Sequence, residues 1–295
     1  DRHILYCTDR LKMDGGDLLR TLPDHVLTTK VFTYFGFKDY ALTSCACRYS
    51  QEHWQLENER KPLPLYVPVD CRTLDEAVRR VEHDPRITTI VVGKGEHQID
   101  SRYLKIVSAM NIVGDPGVPK EEIVVVGGIR FKGIRGNCHL QHLTLRQAMG
   151  SGVWGCSSFT MEDVLVEQCG LSGVVAYGTG VVGRCTNVEV RQCGMSGVSA
   201  EDGASITLIG AKTTVHHNCT NEDGDEYGLK VWDGASSTIQ LVAPLTKEQV
   251  SCDNGGGGNW GAVHGGDIHQ IKTIADASSL ASGVASGETK SAEHW

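Results

Sequence analysis

Apolar and polar residues alternate in short segments that recur along the middle of the chain. Val164-Leu-Val-Glu-Gln-Cys-Gly-Leu-Ser-Gly-Val is followed by Val188-Glu-Val-Arg-Gln-Cys-Gly-Met-Ser-Gly-Val, and a related segment begins at Leu143. Alternation with a period of two among β-branched residues predicts short strands, and the longer period of helices is absent. Self-similarity at intervals of 21 and 24 residues predicts a solenoid. We therefore predict a mainly β fold, a right-handed parallel β-helix with three short strands in each turn.

Stacking of successive turns places equivalent residues in columns, with members about 4.8 Å apart. Two columns should point inward, because nearly all of their members are small or apolar, as a narrow dry interior requires. The first comprises Val153, Val174, Val198, Leu229 and Ala262. The second comprises Gly155, Ala176, Ala200, Val231 and His264.

The outward columns contain the residues most suited to recognition, because aromatic side chains with a few charges are typical of binding surfaces. This candidate recognition face comprises Trp154, Tyr177, Glu201, Lys230 and Trp232. Glu201 and Lys230 lie in adjacent turns, so we interpret them as an ion pair.

Two further columns fall at a corner between strands, and we interpret both as structural. One consists of stacked amides that bond along the solenoid axis, namely Gln147, Gln168 and Gln192. The other contains Cys169 and Cys193, extended by Cys219, which we expect to be buried free thiols.

Pattern and composition divide the chain into four segments. These are a helical module at 1–60, a linker and capping helix at 61–84, the β-helix at 85–275 and a flexible tail at 276–295. The capping helix should begin with a capping box formed by Thr73 and Glu76. Its apolar stripe should cover the open end of the solenoid. The stripe comprises Leu74, Ala77, Val78 and Val81.

Charge and cysteine content restrict the class of partner. The net charge of −8 argues against a nucleic-acid ligand, because phosphate binding requires a basic surface. No apolar run is long enough to span a bilayer, so we expect no membrane partner. The 11 cysteines lack the dense spacing of a secreted scaffold, which favours free thiols and a cytoplasmic or nuclear location.

The N-terminal module resembles an F-box, the motif by which substrate receptors dock on the Skp-type linker of a cullin ubiquitin ligase. The matching docking residues are Leu22, Pro23, Val26, Leu27, Val31, Phe32, Tyr34 and Phe35. F-box proteins followed by pectin-lyase-like parallel β-helix repeats form a known group, and the order of segments here is similar. The resemblance implies a non-enzymatic protein that binds the linker through this module and an unknown protein substrate through its β-helix face.

A carbohydrate-active enzyme is the alternative function, because parallel β-helices also host polysaccharide lyases, hydrolases and epimerases. Glycoside hydrolysis uses two carboxyl groups roughly 5–9 Å apart. The outward face offers Glu201, Lys230, Asp202 and Asp233, without a clear acid pair on neighbouring turns. We therefore predict no catalytic residue. A third possibility is a structural β-helix subunit of a larger assembly.

We also expect no metal and no cofactor. The acidic segment 221–226 lacks the full spacing of a calcium loop and should be a solvated loop. His216 and His217 are adjacent on a strand and should point to opposite faces, which argues against a shared zinc site.

Overall fold

The structure is a computed structural model that describes residues 64–134, 136–232 and 236–275. These residues all belong to one compact unit that begins at Pro64. The predictions for the helical module at 1–60 and for the tail at 276–295 lie outside the described residues. Within the described part of the chain, no helix is both long enough and apolar enough to cross a membrane.

The described residues form nineteen strands, and every strand pairing is parallel. In chain order the strands are β1 (Pro64–Val67), β2 (Thr89–Val92), β3 (Gly95–Ile106), β4 (Asn111–Gly114), β5 (Ile123–Lys132), β6 (Cys138–Arg146), β7 (Val153–Cys156), β8 (Phe159–Glu167), β9 (Val174–Tyr177), β10 (Val182–Thr186), β11 (Glu189–Arg191), β12 (Val198–Glu201), β13 (Ser205–Ile209), β14 (Thr214–His216), β15 (Leu229–Trp232), β16 (Thr238–Val242), β17 (Ser251–Cys252), β18 (Trp260–Val263) and β19 (Ile271–Ile274). The helices among these residues are α1 (Leu74–His83) and α2 (Lys247–Val250), with 3-10 turns at Lys120–Glu122 and Ile268–Gln270.

The strands stack into three faces, which confirms the predicted mainly β, parallel solenoid. The first face contains β1, β2, β4, the first halves of β6 and β8, and then β10, β13, β16 and β19. The second contains the first halves of β3 and β5, the second halves of β6 and β8, and then β11, β14 and β17. The third contains the second halves of β3 and β5, followed by β7, β9, β12, β15 and β18. This third face carries the candidate site.

The interior is a continuous apolar core built from the inward columns. Phe131 and Phe159 stack inside it with ring centroids 5.6 Å apart. The ring of Phe159 occupies the space that a side chain at Gly155 or Gly183 would need. Glycine at these two positions is therefore a packing requirement of Phe159.

The N-terminal end of the solenoid is covered by α1, as the apolar stripe predicts. The Thr73 side chain accepts a hydrogen bond from the Glu76 backbone N–H at 3.2 Å, so it is the N-cap. All four residues of the stripe are buried. Residues 64–67, which we assigned to the linker, form β1 and pair with β2, so the solenoid contains a strand before the helix.

The corner columns show where the sequence repeat gives the correct register and where it does not. The three glutamines of the predicted column all adopt left-handed backbone conformations, and Gln168 hydrogen-bonds to Gln192 at 3.4 Å. Cys169 and Cys193 are buried free cysteines, as expected. The prediction that Cys219 extends their column is wrong, because Asn218 takes that place and its side-chain oxygen accepts from the Cys193 N–H.

In the last turn of the solenoid, the register of strand pairing is shifted by two residues from the predicted columns. Leu229 aligns with Trp260, and Val231 aligns with Ala262. Ala262 therefore belongs to the second inward column, and His264 belongs to neither. The error arises because the preceding segment is longer than in the regular repeats, so the Gly-Val pattern no longer marks equivalent positions.

Candidate functional site

The outward side chains of the third face form two parallel columns along the solenoid axis. The first column comprises Arg130, Trp154, Val175, Ser199, Lys230 and Gly261. The second comprises Lys132, Cys156, Tyr177, Glu201, Trp232 and Val263. All five residues of the candidate recognition face therefore lie on this surface, although Lys230 is not accessible there.

Aromatic rings flank Glu201 on both sides along the axis. Toward the N-terminal end, the rings of Trp154 and Tyr177 lie 6.1 Å apart with an interplanar angle of 32°. Toward the C-terminal end, Trp232 and His264 stack at 4.5 Å and 28°. Tyr177 is 42% exposed, and Trp154 and Trp232 are partly exposed. The face thus presents two pairs of rings with a carboxyl group between them.

Glu201 is a partly buried carboxyl group whose pKa is raised above its ordinary value. Burial is the main cause, and the negative charge of Glu226 acts in the same direction. The Ser199 hydroxyl, which donates to Glu201 Oε1 at 2.7 Å, and the charge of Lys230 act against the increase. The net effect is a raised pKa, so Glu201 holds a proton to higher pH than an ordinary glutamate does.

Lys230 lies beneath this surface and is only 2% exposed. Its ammonium group contacts Glu226 Oε1 at 2.5 Å and lies 4.6 Å from the centroid of the Trp232 ring. The predicted ion pair between Lys230 and Glu201 is therefore wrong, because the lysine pairs with a carboxylate on its own segment. A lysine so placed anchors the site and is not available to contact a ligand.

Glu226 is a buried neighbour of the candidate site that the sequence did not reveal. We placed it in a solvated acidic loop, but it is 4% exposed. Its Oε2 accepts hydrogen bonds from the Ser196 N–H at 2.9 Å and the Ser196 hydroxyl at 2.5 Å. Its pairing with Lys230 depends on the path of the loop before β15, so strand alternation gave no signal for it.

The two adjacent histidines contact each other, contrary to prediction. His217 has a left-handed backbone at a corner, so the strand alternation ends there. The Nδ1 atoms of His216 and His217 are 2.8 Å apart. No group of three or more His, Cys, Asp or Glu side chains suited to a metal occurs among the residues that the structure describes.

Comparison with known proteins gives a likeness of fold. No family model matches the chain, and no curated protein matches it. Two solved structures do match, both of the catalytic domain of GH87 alpha-1,3-glucanase in complex with nigerose, one of them a variant. Each is 14% identical and covers 62% of this chain, with TM-scores of 0.35 and 0.34. The matched regions span 39% and 38% of those chains.

These findings correct two predictions made from the sequence. The main prediction was a non-enzymatic substrate receptor of a ubiquitin ligase, and the second was that the chain is not an enzyme. No family model of an F-box matches the chain, and the two structural neighbours are catalytic domains of a GH87 alpha-1,3-glucanase, so neither finding supports the non-enzymatic receptor. The residues of the F-box resemblance lie outside the described residues. The likeness is one of fold, so any activity has to be inferred from the chain's own residues.

Proposed function

We propose that this protein binds a polysaccharide along the third face of the solenoid and hydrolyses a glycosidic bond at Glu201. One observation carries the proposal: a partly buried carboxyl group with a raised pKa lies on a partly open face between two pairs of aromatic rings. A raised pKa extends to higher pH the range in which a general acid is protonated, and this direction suits the acid of glycoside hydrolysis.

The aromatic rings supply the binding part of the proposal. Aromatic faces present apolar area to the C–H faces of sugar rings while their polar edges remain hydrated. Tyr177 and Trp232 lie one strand before and one strand after Glu201 in the same column. A glycan that lies along the solenoid axis would therefore stack on both and cross Glu201 between them.

Asp202 is our candidate for the second carboxylate. It directly follows Glu201, is exposed, and has a left-handed backbone at the corner of the face. Its carboxylate has no hydrogen bond or ion pair within the described part of the chain, so it is free to activate a water molecule. In this assignment Glu201 protonates the leaving oxygen and Asp202 acts as the base.

The test is release of reducing ends from a panel of neutral glucans and polyuronides by the full chain. Glu201→Gln should lower the rate by about 10²–10⁴-fold, the usual contribution of a general acid. Glu96→Gln is the matched control, because Glu96 is an exposed strand glutamate with no ion pair among the described residues. The Glu96→Gln variant should cleave the glycan at the wild-type rate. Activity should fall as the pH rises through the raised pKa of Glu201. Failure of every glycan to bind or to be cleaved would refute the proposal.

A further inference from the structure

The N-terminal end of the third face carries two basic side chains, those of Arg130 and Lys132. Arg130 precedes Trp154 in the first outward column, and Lys132 precedes Cys156 in the second. Neither side chain forms an ion pair within the residues described. The Arg130 Nε atom is buried and has no hydrogen-bond acceptor.

An unpaired guanidinium N–H is unusual because burying a donor without an acceptor is costly. Arginine presents its donors in a fixed planar fork that matches carboxylate and sulfate oxygens. Lys132 is exposed and adds a second positive charge two residues along the same strand. The pair therefore offers both the geometry and the charge that an anionic group requires.

The next basic residue on this face does not belong to the pair. Lys105 aligns with Arg130, but it borders a cleft that also contains three acidic side chains. Those side chains are Asp75, Glu82 and Asp100. Lys105 and Arg79 thus border a cleft shared with carboxyl groups, whereas Arg130 and Lys132 form no ion pair within the described residues.

Arg130 and Lys132 lie on the same face as Glu201, at a distance that several sugar units could span. Three strand spacings separate Arg130 and Lys132 from Glu201, which is about 14 Å along the axis. Trp154 and Tyr177 fill the interval. We infer that Arg130 and Lys132 form a subsite for an anionic group, a carboxylate or a sulfate ester, on the glycan bound at this face. The inference rests on the proposed function and specifies an acidic polysaccharide as its substrate.

The experiment compares glycans that differ only in charge by titration calorimetry with the full chain. Polygalacturonate and its fully methyl-esterified form test the carboxylate, and dextran sulfate and neutral dextran test the sulfate. We expect one charged polymer to bind at least about tenfold more tightly than its neutral partner, since a charged hydrogen bond is worth about that factor. The identity of that polymer distinguishes the two sources of the anion.

Substitutions then locate the selectivity. Arg130→Gln and Lys132→Gln should each remove about tenfold of the affinity for the charged polymer and leave the neutral one unchanged. Arg130→Lys should recover part of the loss. Lys212→Gln is the control, because Lys212 is an exposed lysine in a turn outside the face, and it should bind like the wild type. Lys132→Gln keeps the test decisive if the Arg130 variants fail to fold, because Lys132 is exposed.

Two outcomes overturn the inference, and they are distinguishable. Equal binding and cleavage of charged and neutral polymers, with no effect of Lys132→Gln, would remove the anionic subsite and leave the proposed hydrolase intact. Absence of binding by all four polymers would remove both.

Discussion

Glu167 should contribute much of the stability of the second face. It is almost fully buried, and its carboxylate accepts hydrogen bonds from Arg146 Nε at 2.6 Å and from Arg191 Nε and Nη2 at 2.9 and 2.8 Å. Burial alone would raise the pKa of Glu167, but the hydrogen bonds and charges of the two arginines outweigh burial and lower it. The carboxylate thus connects three successive turns through charged hydrogen bonds.

Glu167→Gln should lower the free energy of unfolding by about 2–4 kcal/mol at neutral pH. Removing one member of a fully buried pair typically costs about 3–5 kcal/mol because the remaining charge is stranded. Here the two arginines are 30% and 35% exposed, so water solvates part of the stranded charge. The glutamine keeps one acceptor oxygen, but its amide N–H group faces guanidinium donors, so at least one charged hydrogen bond worth about 1.5–3 kcal/mol is lost.

Urea unfolding of both proteins between about pH 7 and pH 3 measures this contribution. Because the pKa of Glu167 is lowered in the folded state, the stabilisation is complete above the unfolded value of about 4.3 and is lost as the pH falls through the lower folded value. The difference between wild type and variant should therefore shrink in that acidic range. A difference under about 0.5 kcal/mol at pH 7, the usual limit for surface substitutions, would refute the reasoning, as would a difference that does not shrink in acid.

Two further substitutions test the corner and the core. Burial alone would lower the pKa of His142, but its contacts with Asp163 at 2.7 Å and the Val118 carbonyl at 2.9 Å outweigh burial and raise it. The stability that this histidine adds is therefore complete below its unfolded pKa of about 6.5 and is lost as the pH rises through the higher folded value. Thermal unfolding of the wild type and of His142→Gln, measured below the unfolded pKa and above the higher folded pKa, should show a loss of stability with rising pH in the wild type alone. Parallel pH profiles of stability for the two proteins would contradict this prediction. Gly155→Ala should destabilise the protein by about 1–3 kcal/mol in urea, because the added methyl group overlaps the Phe159 ring, and an unchanged midpoint would show that the ring can move.

The regular part of the solenoid was predictable because its repeats are nearly equal in length. Val174 and Val198 occupy equivalent positions in the sequence, and they pair in the structure. Equal length fixes the register, since a shift of one residue would turn the apolar side chains outward. The last turn was not predictable in this way, because α2 and a glycine-rich loop come between β16 and β18. The sequence pattern does not show how many residues are inserted there. The predicted partner of Leu229 was therefore Ala262, whereas in the structure it is Trp260.

The candidate site was predictable only where strand alternation determines it. Alternation places Tyr177, Glu201 and Trp232 on one surface, and the register confirms that they share a column. The partner of Lys230 depends instead on the path of the loop before β15, which turns Glu226 inward. Alternation along strands carries no information about that path.

The buried pair of Lys230 and Glu226 affects the pKa of Glu201 on the third face. Lys230 lies between Ser199 and Gly261 in its column, and its ammonium group turns toward Glu226. The ring of Tyr227 occupies the space above Gly261 where a side chain would otherwise lie. With its positive charge already matched by Glu226, Lys230 cannot fully offset the burial of Glu201, and the pKa of Glu201 stays raised. The loop residue that the sequence pattern missed therefore helps to raise the pKa of Glu201, which is the direction that suits the proposed general acid.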